Sequence, residues 1–284
     1  MHKTKLNGMV VLVFSLLTLA FAARVFTGQG YRLVYKMNKG DTLKYSQSSE
    51  MEQVQEMMGT EQKVGSTSDT AIKLVCENRG ANGDLTLVMT YESFKVAVTS
   101  AVLDSTFDNP GGIVGKRVKK FVRPNGDQIK SVELDSIKIL PVNRGFSSEQ
   151  EFLPNLPDEA LEMGKPVTRS DVDTSHTLGG TTVVTSEVQY TLLGKEAKAG
   201  YDCVKLGLKG TVDIDGSGKL PQGFELFFEG DGSIEGTIYF APKEGILVSS
   251  ENKTDIEMTA ALKGQQNMTI PITQSVKSTL NLIK

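Results

Sequence analysis

The chain has 284 residues, 39% hydrophobic, 23% charged and 7% aromatic, which is the balance of a folded globular protein and not of a disordered one. Its formal charge of −3, with no long basic run, argues against nucleic acid as a partner, because that affinity comes from neutralised phosphates. With no Trp and only His2 and His176, there is too little imidazole for a Ser-His-Asp or Cys-His centre in the mature chain beyond His176, and too few His and Cys for a four-ligand zinc site.

The amino end reads as an export signal in three parts: basic His2, Lys3 and Lys5, an apolar run from Met9 to Phe21, and small residues at Ala20, Ala22 and Ala23. Cleavage is expected after Ala22, because small side chains fit the peptidase cleft. The apolar run is shorter than the roughly 20 residues a spanning helix needs, so no transmembrane segment is expected in the mature chain. No Cys follows the small residues to accept a lipid. Losing residues 1–22 removes Lys3 and Lys5 and no acid, moving the formal charge from −3 to −5. The protein is expected in the periplasm or outside the cell.

From Arg32 onward apolar and polar residues alternate in runs parted by Gly, Asn and Asp, which is the signature of strands. In the first half the clear runs are Leu85 to Tyr91, Lys116 to Val122 and Ile129 to Leu134, and Lys44 to Gln55 is a more polar one. Pro124-Asn125-Gly126-Asp127 is the strongest hairpin signal. Gly111 to Arg117 has glycines and a lysine but not the phosphate-loop spacing. Lys116, Arg117, Lys119 and Lys120 read as the solvated side of a strand. A methionine cluster at Met51, Met57 and Met58 suits an adaptable apolar surface, or simple core filling.

Composition shifts once, in the Pro-punctuated stretch 141–166, where Ser148 to Leu153 and Asp158 to Met163 are the best helix candidates. This divides the chain into a signal peptide (1–22), an N-terminal β half (23–145) and a C-terminal β half (146–284), expected to form one continuous unit. The halves carry glycines and a Gly-Thr pair at similar offsets: Gly40 and Gly164, Thr60 and Thr181, Gly83 and Gly200. That spacing fits a duplication, and equally any string of hairpins.

The second half continues the alternation in Thr181 to Leu193, Cys203 to Val212, Ser233 to Phe240, Ile246 to Met258 and Met268 to Leu282. Ala199-Gly200 and Pro242 to Gly245 are turn signals. His176, with Asp171, Asp173, Thr174 and Ser175 nearby, has the residue types of an acid–base set, but on a strand adjacent residues face opposite ways. Asp213-Ile214-Asp215-Gly216-Ser217-Gly218 starts like a calcium loop and then loses its register, so it reads as a Gly- and Asp-rich turn, as does Glu229 to Ser233. The two cysteines, Cys76 and Cys203, either pair as a disulfide in an oxidising compartment or lie separately buried.

Helical signal is too sparse for the crossovers of a parallel sheet, so the fold expected is all-β: a large curved antiparallel sheet or incomplete barrel in two similar halves, with few short helices. The order Gly40-Asp41-Thr42-Leu43-Lys44-Tyr45, Pro124-Asn125-Gly126, Leu156-Pro157-Asp158 with Met163-Gly164, and Gly236-Thr237-Ile238-Tyr239-Phe240 with Gly245-Ile246-Leu247 resembles an uncharacterised family of exported bacterial all-β proteins. That family is distantly reminiscent of the lipoprotein-carrier (LolA-like) half-barrels. The resemblance implies a curved sheet and carries no activity. Pro166-Val167 departs from it, since an aromatic residue is common there.

No catalytic residue, metal ligand or cofactor is expected. The function expected is non-enzymatic binding of an apolar or amphipathic, lipid-like ligand on the concave face of the sheet. The alternatives are a structural or protein-interaction component of the cell envelope and, third, a hydrolase using carboxylates.

Overall fold

An extended chain presents alternate side chains to opposite faces, and the long two-residue period in this sequence produces twelve strands among the described residues. The structure, a computed structural model, describes residues 30–57, 59–137, 152–177, 180–219, 224–264 and 267–283. The strands are β1 (Thr42–Met57), β2 (Thr60–Arg79), β3 (Leu85–Ser100), β4 (Asp104–Asp108), β5 (Arg117–Val122), β6 (Gln128–Glu133), β7 (Pro166–Thr177), β8 (Gly180–Lys198), β9 (Tyr201–Lys219), β10 (Glu225–Ala241), β11 (Ile246–Lys263) and β12 (Met268–Ile283). All pair antiparallel in one open sheet of order β6-β5-β3-β2-β1-β12-β11-β10-β9-β8-β7, with β4 alongside β3. The all-β expectation is met. The first half of the chain builds one side of the sheet and the second half the other, and they meet where β1 pairs with β12.

Each half begins as a three-strand meander, β1-β2-β3 and β7-β8-β9, but β1 sits at the middle of the sheet and β7 at its edge. The turns fall where glycine allows a left-handed backbone: Gly126 closes the β5–β6 hairpin at φ 102°, and Ala199-Gly200 closes β8–β9 with φ of 50° and 85°.

Two sequence expectations change. The helix expected at Asp158 to Met163 is extended chain instead, with Leu161 bridged antiparallel to Tyr31 and Met163 parallel to Leu192. Burial of Leu156 and Leu161 against the sheet outweighs the weak helical preference there. Most of the other helix candidate, Ser148 to Leu153, lies outside the described residues, as do the export signal and the proposed cleavage site. The turns expected at Asp213 to Gly218 and Glu229 to Ser233 are strand interiors of β9 and β10. Asp213 pairs with Asp231 and Asp215 with Glu229, so neither acidic run can wrap around a cation as a loop.

Glycines inside these strands serve close backbone approach, not reversal. A Cβ on Gly230 would stand 2.5 Å from the Cβ of Met258 and 2.6 Å from the carbonyl oxygen of Glu257 on β11, and one on Gly216 would run into the Phe228 ring. Replacing Gly230 with alanine is expected to lower stability by about 1–3 kcal/mol, the range of an overpacked interior, because rigid backbone must move. Urea unfolding of the variant measures it, and an unchanged midpoint would contradict this packing.

The core lies at one end of the sheet, here called proximal. Tyr45, Ile72, Leu74, Leu87, Tyr91, Tyr190, Leu206, Ile238 and Phe240 are buried there, beneath two segments that cross the sheet, residues 30–37 and 152–163. Those segments contribute Leu33, Tyr35, Met37, Leu153, Leu156 and Leu161. Tyr31 and Leu161 exchange backbone hydrogen bonds of 2.8 and 2.9 Å, the Tyr35 amide donates to the Pro124 carbonyl, and the Lys36 amide to that of Gly245. The crossing chain thereby ties the β5–β6 turn to the β10–β11 turn.

Candidate functional site

Over eight neighbouring strands the pairing register keeps charge to one face. Tyr45 stands opposite Ile72 on β2 and Leu282 on β12, and following such partners outward defines face A, which carries the core. Away from the hairpin ends, the face A positions are the odd residues 43–55 of β1 and the even residues 62–76 of β2, 180–192 of β8, 204–218 of β9, 226–240 of β10, 250–262 of β11 and 268–282 of β12. On β3 they are the odd residues 85–91 and, past a bulge, the even residues 94–100. None of these is Asp, Glu, Lys or Arg. Eight neighbouring strands therefore share one charge-free face.

Face B takes the charges. The row Glu50, Lys277, Lys253, Glu235, Lys209 crosses five strands from β1 to β9, and the next row holds Asp69 and Glu251. These rows line a broad depression of about 1130 Å³, with Ser48, Thr67, Thr191, Thr237 and Thr279. Two smaller depressions, about 620 and 450 Å³, follow on the same face toward the other, distal end. Asp213, Asp215, Glu229, Asp231 and Glu257 gather around the first of these. They are the acids a carboxylate hydrolase would draw on, but among the described residues no group of three His, Cys, Asp or Glu is placed to hold a metal ion.

The proximal half of face A is filled by the protein's own side chains. Its crossing segments are fastened where the two edges of the open sheet approach. Arg169, on edge strand β7, donates to both carboxylate oxygens of Asp171 at 2.6 Å, to the carboxylate of Asp127 in the β5–β6 turn, and to the Leu156 carbonyl at 3.1 Å. The Asp171 hydrogen bonds, with the nearby Asp127 charge, push the guanidinium pKa further up and outweigh its partial burial. Asn125 completes the joint: its side chain donates to Asp158, and its carbonyl accepts from the Leu156 amide at 2.7 Å. The Tyr35 and Tyr190 hydroxyls donate to the carbonyls of Pro154 and Asn155 at 2.9 and 2.7 Å.

The distal half of face A has no such cover among the described residues. It presents Val184, Val188, Ile214, Phe228, Ile234, Ile256, Met258, Ile272 and Val276, all half-buried by one another, with Ser, Thr and Gln among and around them. Met51 of the methionine cluster belongs to this surface, while Met58 lies outside the described residues.

The remaining sequence candidates fall apart in space. His176 is on face B of β7, its Nδ1 3.2 Å from the Thr181 hydroxyl, whereas Asp171, Asp173 and Ser175 point to face A. Cys76 is on β2 facing A and Cys203 on β9 facing B; both are buried free thiols, with no disulfide joining them. Burial pushes both thiol pKa values up. The basic cluster is only partly a solvated side: Arg117 pairs with Asp135 at 2.8 Å and Lys119 with Glu77 at 2.7 Å, but Lys120 is buried and donates to Gln128.

Sequence reasoning missed the charge-free face, although its signal was present. In Asp213-Ile-Asp-Gly and Glu229-Gly-Asp-Gly the acids hold odd positions and the glycines even ones, so the two-residue period runs unbroken through both segments. No protein-family model matches the chain, and no curated protein matches it. Among the described residues no helix is long and apolar enough to cross a membrane.

Proposed function

We propose that this protein is an exported, non-enzymatic binder that takes an apolar or amphipathic, lipid-like ligand on the uncovered distal half of face A. The observation that carries the reading is the parity of charge: eight strands place every Asp, Glu, Lys and Arg of their interiors on face B. Hydrocarbon laid on such a surface gains roughly 0.8 kcal/mol for each methylene it buries and strips water from no ion. The Ser, Thr and Gln side chains among the apolar ones suit an uncharged polar headgroup or linkage. The three-part amino end supports export, and the separation of His176 from Asp171, Asp173 and Ser175 supports a role without chemistry.

One observation favours the second reading, contact with an envelope protein. Among the described residues strand β7 pairs on one side only, with β8, and leaves a twelve-residue edge to which an extended segment can add.

Mass spectrometry of organic extracts from the natively purified chain tests the first reading. A lipid-like molecule is expected from the wild type and is expected to be lost from Ile256→Lys with the circular dichroism spectrum intact. Empty extracts from the wild type, or equal recovery from the folded variant, would refute it.

A further inference from the structure

The distal half of face A is also shaped for its own copy. We infer that two chains stack these halves face to face, in a twofold contact that competes with the ligand.

Two properties of the surface single out a second copy as the occupant. The first is charge. In an isologous pair every patch meets the same patch, so a like-charged group near the axis meets itself. Face B would set acids such as Asp213 and Asp231 and lysines such as Lys253 and Lys277 against their own counterparts. Distal face A, on β8–β12 and β1, has no ion to repel and none to leave desolvated. It equally lacks the charged groups by which a different protein would be selected.

The second property is size. From the row of Val188, Gly210, Ile234, Val276 and Met51 to the row of Thr182, Gly216, Phe228 and Ala260, the patch spans seven residues on six strands. At about 3.3 Å per residue and 4.8 Å per strand that is roughly 23 by 29 Å, or about 670 Å² per copy. A stable interface of standard size takes about 800 Å² from each partner. A small apolar ligand would leave much of this area wet.

The dimer does not rest on the lipid reading, but both use one surface, so each excludes the other. Sedimentation equilibrium of the chain recovered after export and stripped of bound lipid tests it. A dimer with a micromolar dissociation constant is expected, and Ile256→Lys or Ile214→Lys should be monomeric. Glu235→Lys, on face B, should leave the dimer as it is. Circular dichroism establishes that each variant is folded, and two lysine positions guard against one failing to fold. A monomeric wild type at roughly 0.1 mM, where a micromolar dimer would be saturated, overturns the inference. So does a dimer that survives both lysine substitutions. Lipid in the extracts of a strictly monomeric protein would sink the dimer and spare the ligand, and a dimer without extractable lipid would do the reverse.

Discussion

Leu156→Ala is expected to lower the unfolding free energy by about 2–5 kcal/mol, the cost of a large-to-small change in a closed core. Leu156 is fully buried, and its backbone is held at both ends, the amide by the Asn125 carbonyl and the carbonyl by Arg169. The surrounding chain therefore has little freedom to collapse into the space left behind. The loss should appear in one cooperative transition for the whole sheet, because segment 152–163 touches both sides of it: the β5–β6 turn through Asn125, and β7 and β8 through Arg169 and Tyr190. Denaturant unfolding followed by fluorescence and circular dichroism together checks both points. Two separated transitions would mean that the halves fold independently, and a loss below about 1 kcal/mol would mean that the segment is a displaceable cover over a larger binding face.

The fold was readable because it depends on the local two-residue period, which survives in nearly every strand. Leu85 to Tyr91, Thr181 to Leu193 and Met268 to Leu282 all fall inside β3, β8 and β12. The strands run longer than the apolar runs suggest, since their distal parts carry Ser, Thr, Gln and Gly at inward positions in place of Val and Ile. Composition there resembles turns, and glycine was read for its freedom at positive φ when its use was close approach between strands, as at Gly230. The charge-free face needed only the correct parity through Asp213 to Gly218 and Glu229 to Ser233. What no local pattern could supply is the crossing of residues 30–37 and 152–163 over the proximal core. It is fixed by contacts far apart in the chain, such as Tyr35 with Pro154 and Arg169 with Asp127. These decide which half of face A is closed and which half is open.

Raising the pH from 10 to 12 should unfold the protein, through three tyrosines sealed in the core. Burial pushes the Tyr91 hydroxyl up to about 12, with Glu133 adding to it. Burial also drives Tyr45 and Tyr35 well above their ordinary range, helped by neighbouring tyrosines. In the unfolded chain each ionises near pH 10. Below that pH both states hold the proton, and the tyrosines contribute no pH dependence. Above it the unfolded state releases protons that the folded state keeps, so stability falls by about 1.4 kcal/mol per pH unit for each tyrosine. Over two units the three together remove several kcal/mol, a large part of the stability of a typical domain. Tyrosinate absorbance and circular dichroism should therefore change together, and steeply, in that window. Tyr91→Phe should move the midpoint to higher pH, because it removes one of the three groups and, among the described residues, no hydrogen bond like that from Tyr45 to the Leu247 carbonyl. A gradual titration of all seven tyrosines with the sheet spectrum unchanged would show that the proximal core admits hydroxide, and so that its covering segments open readily.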